Sequence, residues 1–236
     1  YIALDKLKLS KAKKILDGII KGCSLAGCSL LGGETAEMPG TYEKNKFDLA
    51  GFAVGVVEKK DLLTKFKVKK NNIILAVPSS GLHSNGFSLV RNILEQNKTK
   101  IYSKKFELIN LRKELIKPTK IYVQEINKLN KRKLINGCAN ITGGGLINNL
   151  SRVVPKNLCL NINLSKIKIT KVFKWLKKNN ISDLQMLNTF NCGVGFCLIV
   201  NKKNIKKIKS VFSKKYQPYE IGLITEDRSK IKVNGR

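Results

Sequence analysis

Residues 31–40 read LGGETAEMPG, and this stretch is the most informative part of the chain. No lysine or arginine occurs between Lys21 and Lys44, although the 236-residue sequence carries a formal net charge of +30. Glu34 lies inside this gap, directly after two glycines. A carboxylate binds a divalent cation best when no neighbouring ammonium group competes for it. The pattern predicts an acidic, glycine-bracketed turn that binds a metal or metal–nucleotide, although an ordinary surface turn explains this stretch alone equally well.

The composition is that of a globular chain with a core, because 42% of the residues are hydrophobic. We expect no membrane partner, since no apolar run approaches the roughly 20 residues that span a bilayer. The six cysteines include no Cys-x-x-Cys pair and there is one histidine, so we expect reduced thiols, a cytoplasmic location and no zinc site. The first residue is Tyr1 rather than methionine, which leads us to expect an excised or incomplete segment.

The positive charge raises the question of nucleic-acid binding. Only six of the 46 cationic side chains are arginine, and aromatic residues make up 7% of the chain. Nucleic-acid surfaces usually combine arginine with aromatic side chains, whereas lysine here is spread through nearly every segment. We therefore expect a solvated basic surface and no specific nucleic-acid partner.

Stretches with helical and strand character alternate along the chain. Small residues within 47–57 predict a strand that another backbone crosses closely. The charged, glycine-free stretch 59–70 is expected to link two units, and the polar stretch 99–115 is expected to be irregular. The alternation predicts an α/β or α+β fold with mixed sheets flanked by helices. Predicted helices cover residues 11–26, 87–95, 122–129, 170–178 and 203–214, with a further helix after residue 145, and predicted strands cover 47–57, 72–77, 134–141, 158–162 and 192–200, with further strands at the end of the chain.

The only histidine lies in a polar glycine loop, SSGLHSNG at residues 79–86, between a predicted strand and a predicted helix. Strand, glycine loop and helix in succession can bring backbone N–H groups onto an anion. His83 could transfer a proton near neutral pH, or it could only hydrogen-bond the loop together. The polarity of the loop favours the functional interpretation, although no acidic residue lies nearby in sequence to complete a catalytic triad.

Two further glycine motifs follow this loop. TGGG at residues 142–145 precedes a predicted helix, which suits a bound phosphate, although glycine-rich turns are common. FNCGVG at residues 190–195 opens a predicted strand, where close packing explains the glycines best. Neither the Walker A pattern nor Gly-x-Gly-x-x-Gly after a strand occurs in the sequence.

In this order and at these separations, the motifs resemble those of the AIR synthetase family, the phosphoribosylformylglycinamidine cyclo-ligases of purine biosynthesis. The resemblance extends over essentially the whole chain. A shorter Gly-Gly-[Asp/Glu]-Thr motif is shared with thiamine-monophosphate kinase and selenophosphate synthetase. The matching stretches are GGETAEMPG at 32–40, D-x-AGF at 48–52, SSGLHSNG at 79–86, SLVR at 88–91, TGGG at 142–145 and FNCGVG at 190–195.

The resemblance implies a two-domain, ATP-dependent AIR-synthetase-like fold whose N-terminal domain is incomplete. Residues 1–62 would form the C-terminal part of the ATP-binding, dimerising N-terminal domain, and residues 63–236 would form the C-terminal α/β domain. The family has a further segment, with additional metal-binding aspartates, before the position that matches Tyr1. The resemblance also implies a homodimer with the nucleotide near the subunit interface.

The implied reaction uses ATP and Mg²⁺ to activate the formyl oxygen of formylglycinamidine ribonucleotide as an O-phosphorylated imidate. An amidine nitrogen then closes the imidazole ring, which gives aminoimidazole ribonucleotide, ADP and phosphate. Activation is needed because an amide oxygen is a poor leaving group, and the transferring phosphoryl group must be neutralised. The alternatives are another ATP-dependent phosphoryl-transfer member of the superfamily and a non-catalytic remnant or interaction subunit of a truncated enzyme.

The resemblance assigns candidate roles to particular residues of this sequence. Glu34 is the expected Mg²⁺ ligand, and Asp48 is a second candidate in the same acidic pocket. His83 and Asn85 are expected to be catalytic, because they would face the substrate and the developing charge. The expected ATP-binding residues are Gly32, Gly33, Glu34, Thr35 and Asp48, and the expected substrate- or phosphate-binding residues are Ser79, Ser80, Gly81, Ser84, Gly143, Gly144 and Asn191.

Overall fold

The structure of the protein is a computed structural model that describes residues 1–96, 111–227 and 229–235. The chain forms two compact units: Tyr1–Leu62 with Ile121–Gln124, and Leu63–Lys120 with Glu125–Arg236. Each unit combines helices with a sheet of mixed strand direction, so the predicted fold class is confirmed. None of the described helices combines the length and apolar character that crossing a membrane requires.

The first unit is built on a three-stranded sheet with β1, Ile2–Leu4, at its centre. Strand β2, Thr35–Glu37, runs parallel to β1, and β3, Phe47–Leu49, runs antiparallel to it. Helix α1, Leu9–Ala26, lies between β1 and β2 in sequence and ends at Gly27, whose φ is 71°. Glycine adopts this left-handed conformation without a steric penalty, and the predicted helix end is confirmed.

The predicted strand at 47–57 is wrong beyond Leu49. Its neighbour β1 has only three residues, and the register pairs Ile2 with Leu49, so the ladder of hydrogen bonds runs out there. Among the described residues, no backbone crosses the small residues closely either, since a β-carbon added to Gly51 or Gly55 would meet nothing within 4 Å. Side chains beyond the ladder are exposed, with Phe52 at 93%.

The acidic stretch 31–40 forms a strand at Thr35–Glu37, and its turn comes only after the strand, at Gly40, whose φ is 87°. Thr35–Glu37 pairs with β1, and the backbone N–H of Ile2 donates to the carbonyl of Glu34 at 2.8 Å. Gly32 and Gly33 lie in open space outside the left-handed region. Two glycines therefore precede the strand without a turn that only glycine could make.

The second unit contains a six-stranded sheet in the order β5-β7-β4-β8-β6-β9. Neighbouring strands are antiparallel except β6 and β9, which are parallel. The central strands β4 and β7 are buried along nearly their whole length, which indicates that both faces of the sheet are covered. The strands are β4, Ile73–Pro78; β5, Gly137–Asn140; β6, Cys159–Asn163; β7, Val194–Val200; β8, Tyr219–Thr225; and β9, Ile231–Asn234.

Helices follow or separate these strands, and several bury apolar side chains in a cluster that includes Leu82, Trp175 and Phe190. The helix predicted at 203–214 is shorter, because only Ile208 of its α-helical part is buried. Of the stretch 99–115, which was predicted to be irregular, residues 99–110 lie outside the described residues, and the prediction is wrong for Leu111–Leu115, which form a helix. The helices are α2, Phe87–Gln96; α3, Leu111–Leu115; α4, Val123–Lys131; α5, Gly145–Ser151; α6, Lys171–Lys177; α7, Asp183–Thr189; and α8, Ile205–Lys209.

The antiparallel pairing brings three sequence motifs to one edge of this sheet. Pro78 at the end of β4 pairs with Val194 at the start of β7, and Asn140 at the end of β5 pairs with Phe196. The loops that follow β4 and β5 and the loop that precedes β7 therefore share this edge. These are the loops predicted to bind substrate and phosphate.

Candidate functional site

Asn191 holds the histidine loop in place. Its Nδ2 donates to the carbonyls of Gly81 at 2.9 Å and Leu82 at 3.1 Å, and its Oδ1 accepts from the N–H of Gly193 at 2.9 Å. The side chain is only 3% exposed. Because its polar atoms are committed to the backbone, Asn191 positions the loop rather than presenting an amide to a ligand.

His83 is also part of the internal support of this loop. The side chain is buried and its Nε2 accepts a hydrogen bond from the backbone N–H of Ser80 at 3.2 Å. Burial lowers the pKa of His83 to about 4, because the charged form is desolvated. The imidazole is therefore neutral near pH 7, and the structure favours the loop-forming role over proton transfer at that pH.

The serines of the loop contact the segment that leads into α4. The Ser80 hydroxyl donates to the carbonyl of Pro118 at 2.8 Å and accepts from the N–H of Lys120 at 3.1 Å. Ser84 Oγ lies 3.2 Å from Thr119 Oγ1. Ser79 differs, since its hydroxyl oxygen is buried and has no hydrogen-bond partner among the described residues. The loop is thus fixed on both sides.

A buried asparagine shapes the second glycine loop. Asn149 Nδ2 lies within hydrogen-bond distance of the carbonyls of Thr142 at 3.3 Å, Gly143 at 3.2 Å and Gly145 at 2.7 Å. Gly145 has a φ of 68°, and a β-carbon there would lie 1.7 Å from the carbonyl oxygen of Leu187. Asn149 was not among the residues predicted from the sequence. Its position four residues after Gly145 places both on one face of a helix, and this spacing could have indicated that Asn149 contacts the glycine loop.

The two glycine loops meet at the surface. A β-carbon added to Gly143 would lie 3.4 Å from Asn85 Oδ1. Ser84 and Gly143 are exposed, and Asn85 and Gly144 are half-buried. Within the described part of the chain, no hydrogen bond engages the backbone N–H of Gly143 or Gly144. We call these four residues the loop surface, and its donors suit an anionic group such as a phosphate.

The acidic candidates lie in the first unit. Glu34 and Thr35 are at the start of β2 and Asp48 is on β3, and all three are exposed. Strand β1 lies between β2 and β3, which separates Glu34 and Asp48 laterally by about 10 Å. Neither carboxylate forms an ion pair within the described chain.

The exposed carboxylates of Glu34 and Asp48 limit the kind of metal site that this unit can form. The described residues contain no group of three or more His, Cys, Asp or Glu side chains that could hold a metal ion. Mg²⁺ is commonly held by one or two carboxylates together with substrate phosphates. Glu34, with Asp48 as a second candidate, fits a metal shared with a nucleotide and does not fit an all-protein metal cage.

Solved structures with similar folds include a thiamine-monophosphate kinase and a PurL chain. Thiamine-monophosphate kinase from Stenotrophomonas maltophilia aligns with a TM-score of 0.66 and 15% identity, over 100% of this chain and 71% of that chain. T. maritima PurL complexed with FGAR aligns with a TM-score of 0.59 and 14% identity, over 100% and 36% of the respective chains. At this level of identity, the likeness establishes the fold.

Sequence comparison is more specific. Residues 1–57 match the N-terminal domain of AIR synthase related proteins, and residues 69–234 match the C-terminal domain. The phosphoribosylformylglycinamidine cyclo-ligase of Thermodesulfovibrio yellowstonii is 42% identical over 98% of this chain and 70% of its own length. The phosphoribosylformylglycinamidine cyclo-ligase of Prochlorococcus marinus is 46% identical over 95% of this chain and 66% of its own length. The chain thus spans about two thirds of the length of these relatives, and it belongs to the AIR synthase related family, in its phosphoribosylformylglycinamidine cyclo-ligase branch.

Proposed function

We propose that the chain takes part in the ATP-dependent ring closure of formylglycinamidine ribonucleotide to aminoimidazole ribonucleotide, with release of ADP and phosphate. In this proposal it acts in purine biosynthesis in the cytoplasm, as a homodimer. The family assignment supports the reaction class, and the two matched domains account for the two compact units.

The observation that carries the proposal is the convergence of three loops at one sheet edge. The backbone N–H groups of Gly143 and Gly144 have no internal partner in the described chain, and Asn85 adjoins Gly143. A phosphorylated substrate needs such donors for its phosphate. It also needs a side chain that can donate and accept hydrogen bonds near the reacting amide, which the carboxamide of Asn85 provides.

The remaining loop residues act by holding this arrangement. Asn191 fixes the backbone at Gly81, and Asn149 fixes the backbone at Gly143. His83 stays neutral and supports the turn through Ser80. Fixed donors stabilise charge effectively because they need no reorganisation when the charge develops.

The nucleotide and its metal would be held by the other unit. In this proposal Glu34 ligates Mg²⁺ and Thr35 contacts the phosphates, while Asp48, on the other side of β1, contacts the nucleotide separately. When bound, Mg²⁺–ATP supplies the phosphoryl group that turns an amide oxygen into a leaving group. Both carboxylates are exposed and form no ion pair with any described residue, which supports this assignment.

The test measures ADP release that depends on formylglycinamidine ribonucleotide. It uses the chain and a fusion that adds, before Tyr1, the corresponding residues of the Thermodesulfovibrio yellowstonii relative. Asn85→Asp places a negative charge at the loop surface and should lower kcat/KM by about tenfold or more. The control is Asn201→Asp, which makes the same charge change at the opposite end of β7. Aspartate can cap the following turn there as asparagine does, so kcat/KM should be unchanged. Absence of substrate-dependent ADP release from both proteins would overturn the proposal and favour a non-catalytic remnant.

A second candidate is phosphoryl transfer from ATP to another small molecule. The fold likeness to thiamine-monophosphate kinase favours it. The same assay with thiamine monophosphate in place of the ribonucleotide separates the two. ADP release with thiamine monophosphate alone would support the kinase, and release with the ribonucleotide alone would support the cyclo-ligase.

A further inference from the structure

A cleft of about 660 Å³ lies at the end of the six-stranded sheet opposite the loop surface. The stretch 65–70 that lines it precedes β4, Leu158 precedes β6, and Glu226 follows β8. The loop surface lies beyond the other end of β4, and a strand of six residues spans about 17 Å. The cleft is therefore a separate place from the proposed cyclo-ligase site.

The cleft combines an apolar floor with an exposed aromatic ring. Val68 and Leu158 are buried at 2% and 6% exposure. Phe66, which also lines the cleft, is 72% exposed. Leaving a phenylalanine ring in water forgoes the free energy of burial, and an exposed ring offers a face on which a planar ligand can stack. Lys65 Nζ lies 5.9 Å from the centre of this ring.

The charge of the cleft is strongly positive. In the described part of the chain, four lysines and one glutamate line it, and the glutamate, Glu226, pairs with Lys70 at 2.7 Å. Lys65, Lys69 and Lys156 have no acidic partner in the described chain. Ammonium groups gathered around one cleft repel each other, and a bound polyanion removes that repulsion. An adjacent pair of phosphates matches this arrangement better than a single negative charge does.

We propose that this cleft binds a nucleoside diphosphate or a close analogue, with the base stacked on Phe66 and the phosphates between Lys69 and Lys156. A volume of 660 Å³ is within the usual range for a small-ligand site. A cleft of this volume accommodates one mononucleotide rather than an extended nucleic-acid strand. The Lys70–Glu226 pair also lines the cleft and offsets one of its positive charges.

Calorimetric titration of ADP into the chain tests this proposal. EDTA is present, so that a Mg²⁺-dependent site does not contribute. The wild type is expected to bind ADP, and Lys69→Ala with Lys156→Ala should weaken binding by about tenfold or more. Phe66→Ala should weaken ADP binding by about tenfold while leaving inorganic tripolyphosphate binding unchanged. Glu226→Gln should tighten the binding of both probes, because it removes the only acid among the described residues that line the cleft.

The control is Lys206→Ala with Lys207→Ala, which makes the same charge change on α8. Equal loss of ADP binding in this control would show that net charge alone attracts the anion and would overturn the proposal. Unchanged ADP affinity in Phe66→Ala, or no ADP binding by the wild type, would also overturn it. If the wild type binds a single-stranded RNA oligonucleotide more tightly than ADP, and Phe66→Ala abolishes that binding, the proposal is overturned. The ligand of the cleft would then be nucleic acid rather than a mononucleotide. Because the titration follows ADP without divalent cations, failure of the cyclo-ligase assay leaves its outcome unaffected.

Discussion

Gly145→Ala is expected to destabilise the second unit strongly. The residue has a φ of 68°, where a side chain costs about 1–2 kcal/mol. Its β-carbon would lie 1.7 Å from the carbonyl oxygen of Leu187, so α5 and α7 must move apart. Such overpacking costs typically about 1–3 kcal/mol, which gives a total loss of about 2–5 kcal/mol. The melting temperature should fall by roughly 5–20 °C.

Trp175 makes the assay specific for this unit. It is the only tryptophan of the chain, and it is 3% exposed within the cluster of the second unit. Its fluorescence should therefore follow unfolding of this unit. The matched control is Gly143→Ala, where φ is ordinary and the β-carbon has room, so the free energy of unfolding should change by no more than about 0.5 kcal/mol. Equal melting temperatures for the Gly145→Ala and Gly143→Ala proteins would refute the reasoning.

Two further substitutions test the supports of the histidine loop. Asn191→Ala leaves the carbonyls of Gly81 and Leu82 without their donor and should lower the free energy of unfolding in urea by about 2–4 kcal/mol; an unchanged urea midpoint would contradict this role. The pKa of His83 falls from 6.5 to about 4 on folding, so the unfolded chain binds the extra proton and stability declines by up to about 3 kcal/mol as pH falls through that window. His83→Gln should remove this decline, and equal pH slopes in both proteins would count against it.

Local signals in the sequence predicted much of the fold. Helix α1 and its end at Gly27 were predicted because apolar spacing and a glycine C-cap act within a few residues. The order of β4, the histidine loop and α2 was predicted for the same reason. Grouping the glycine loops as one site came from the family resemblance, and the pairing of β7 with β4 and β5 accounts for it physically.

Long-range contacts explain what the sequence could not show. The strand predicted at 47–57 stops at Leu49 because its partner β1 is only three residues long. The role of Asn191 depends on carbonyls 109 and 110 residues earlier in the chain. Burial of His83 is likewise a tertiary effect, and it lowers the pKa of the imidazole to about 4, which favours the loop-forming alternative near neutral pH.

Direct binding of formylglycinamidine ribonucleotide tests most sharply whether the loop surface is the substrate site. Calorimetry with the wild-type chain should detect binding, and Asn201→Asp should bind with the same affinity. Asn85→Asp should bind about tenfold more weakly or worse, because its carboxylate would repel the substrate phosphate next to Gly143. Equal affinity in the wild type and Asn85→Asp would contradict the account.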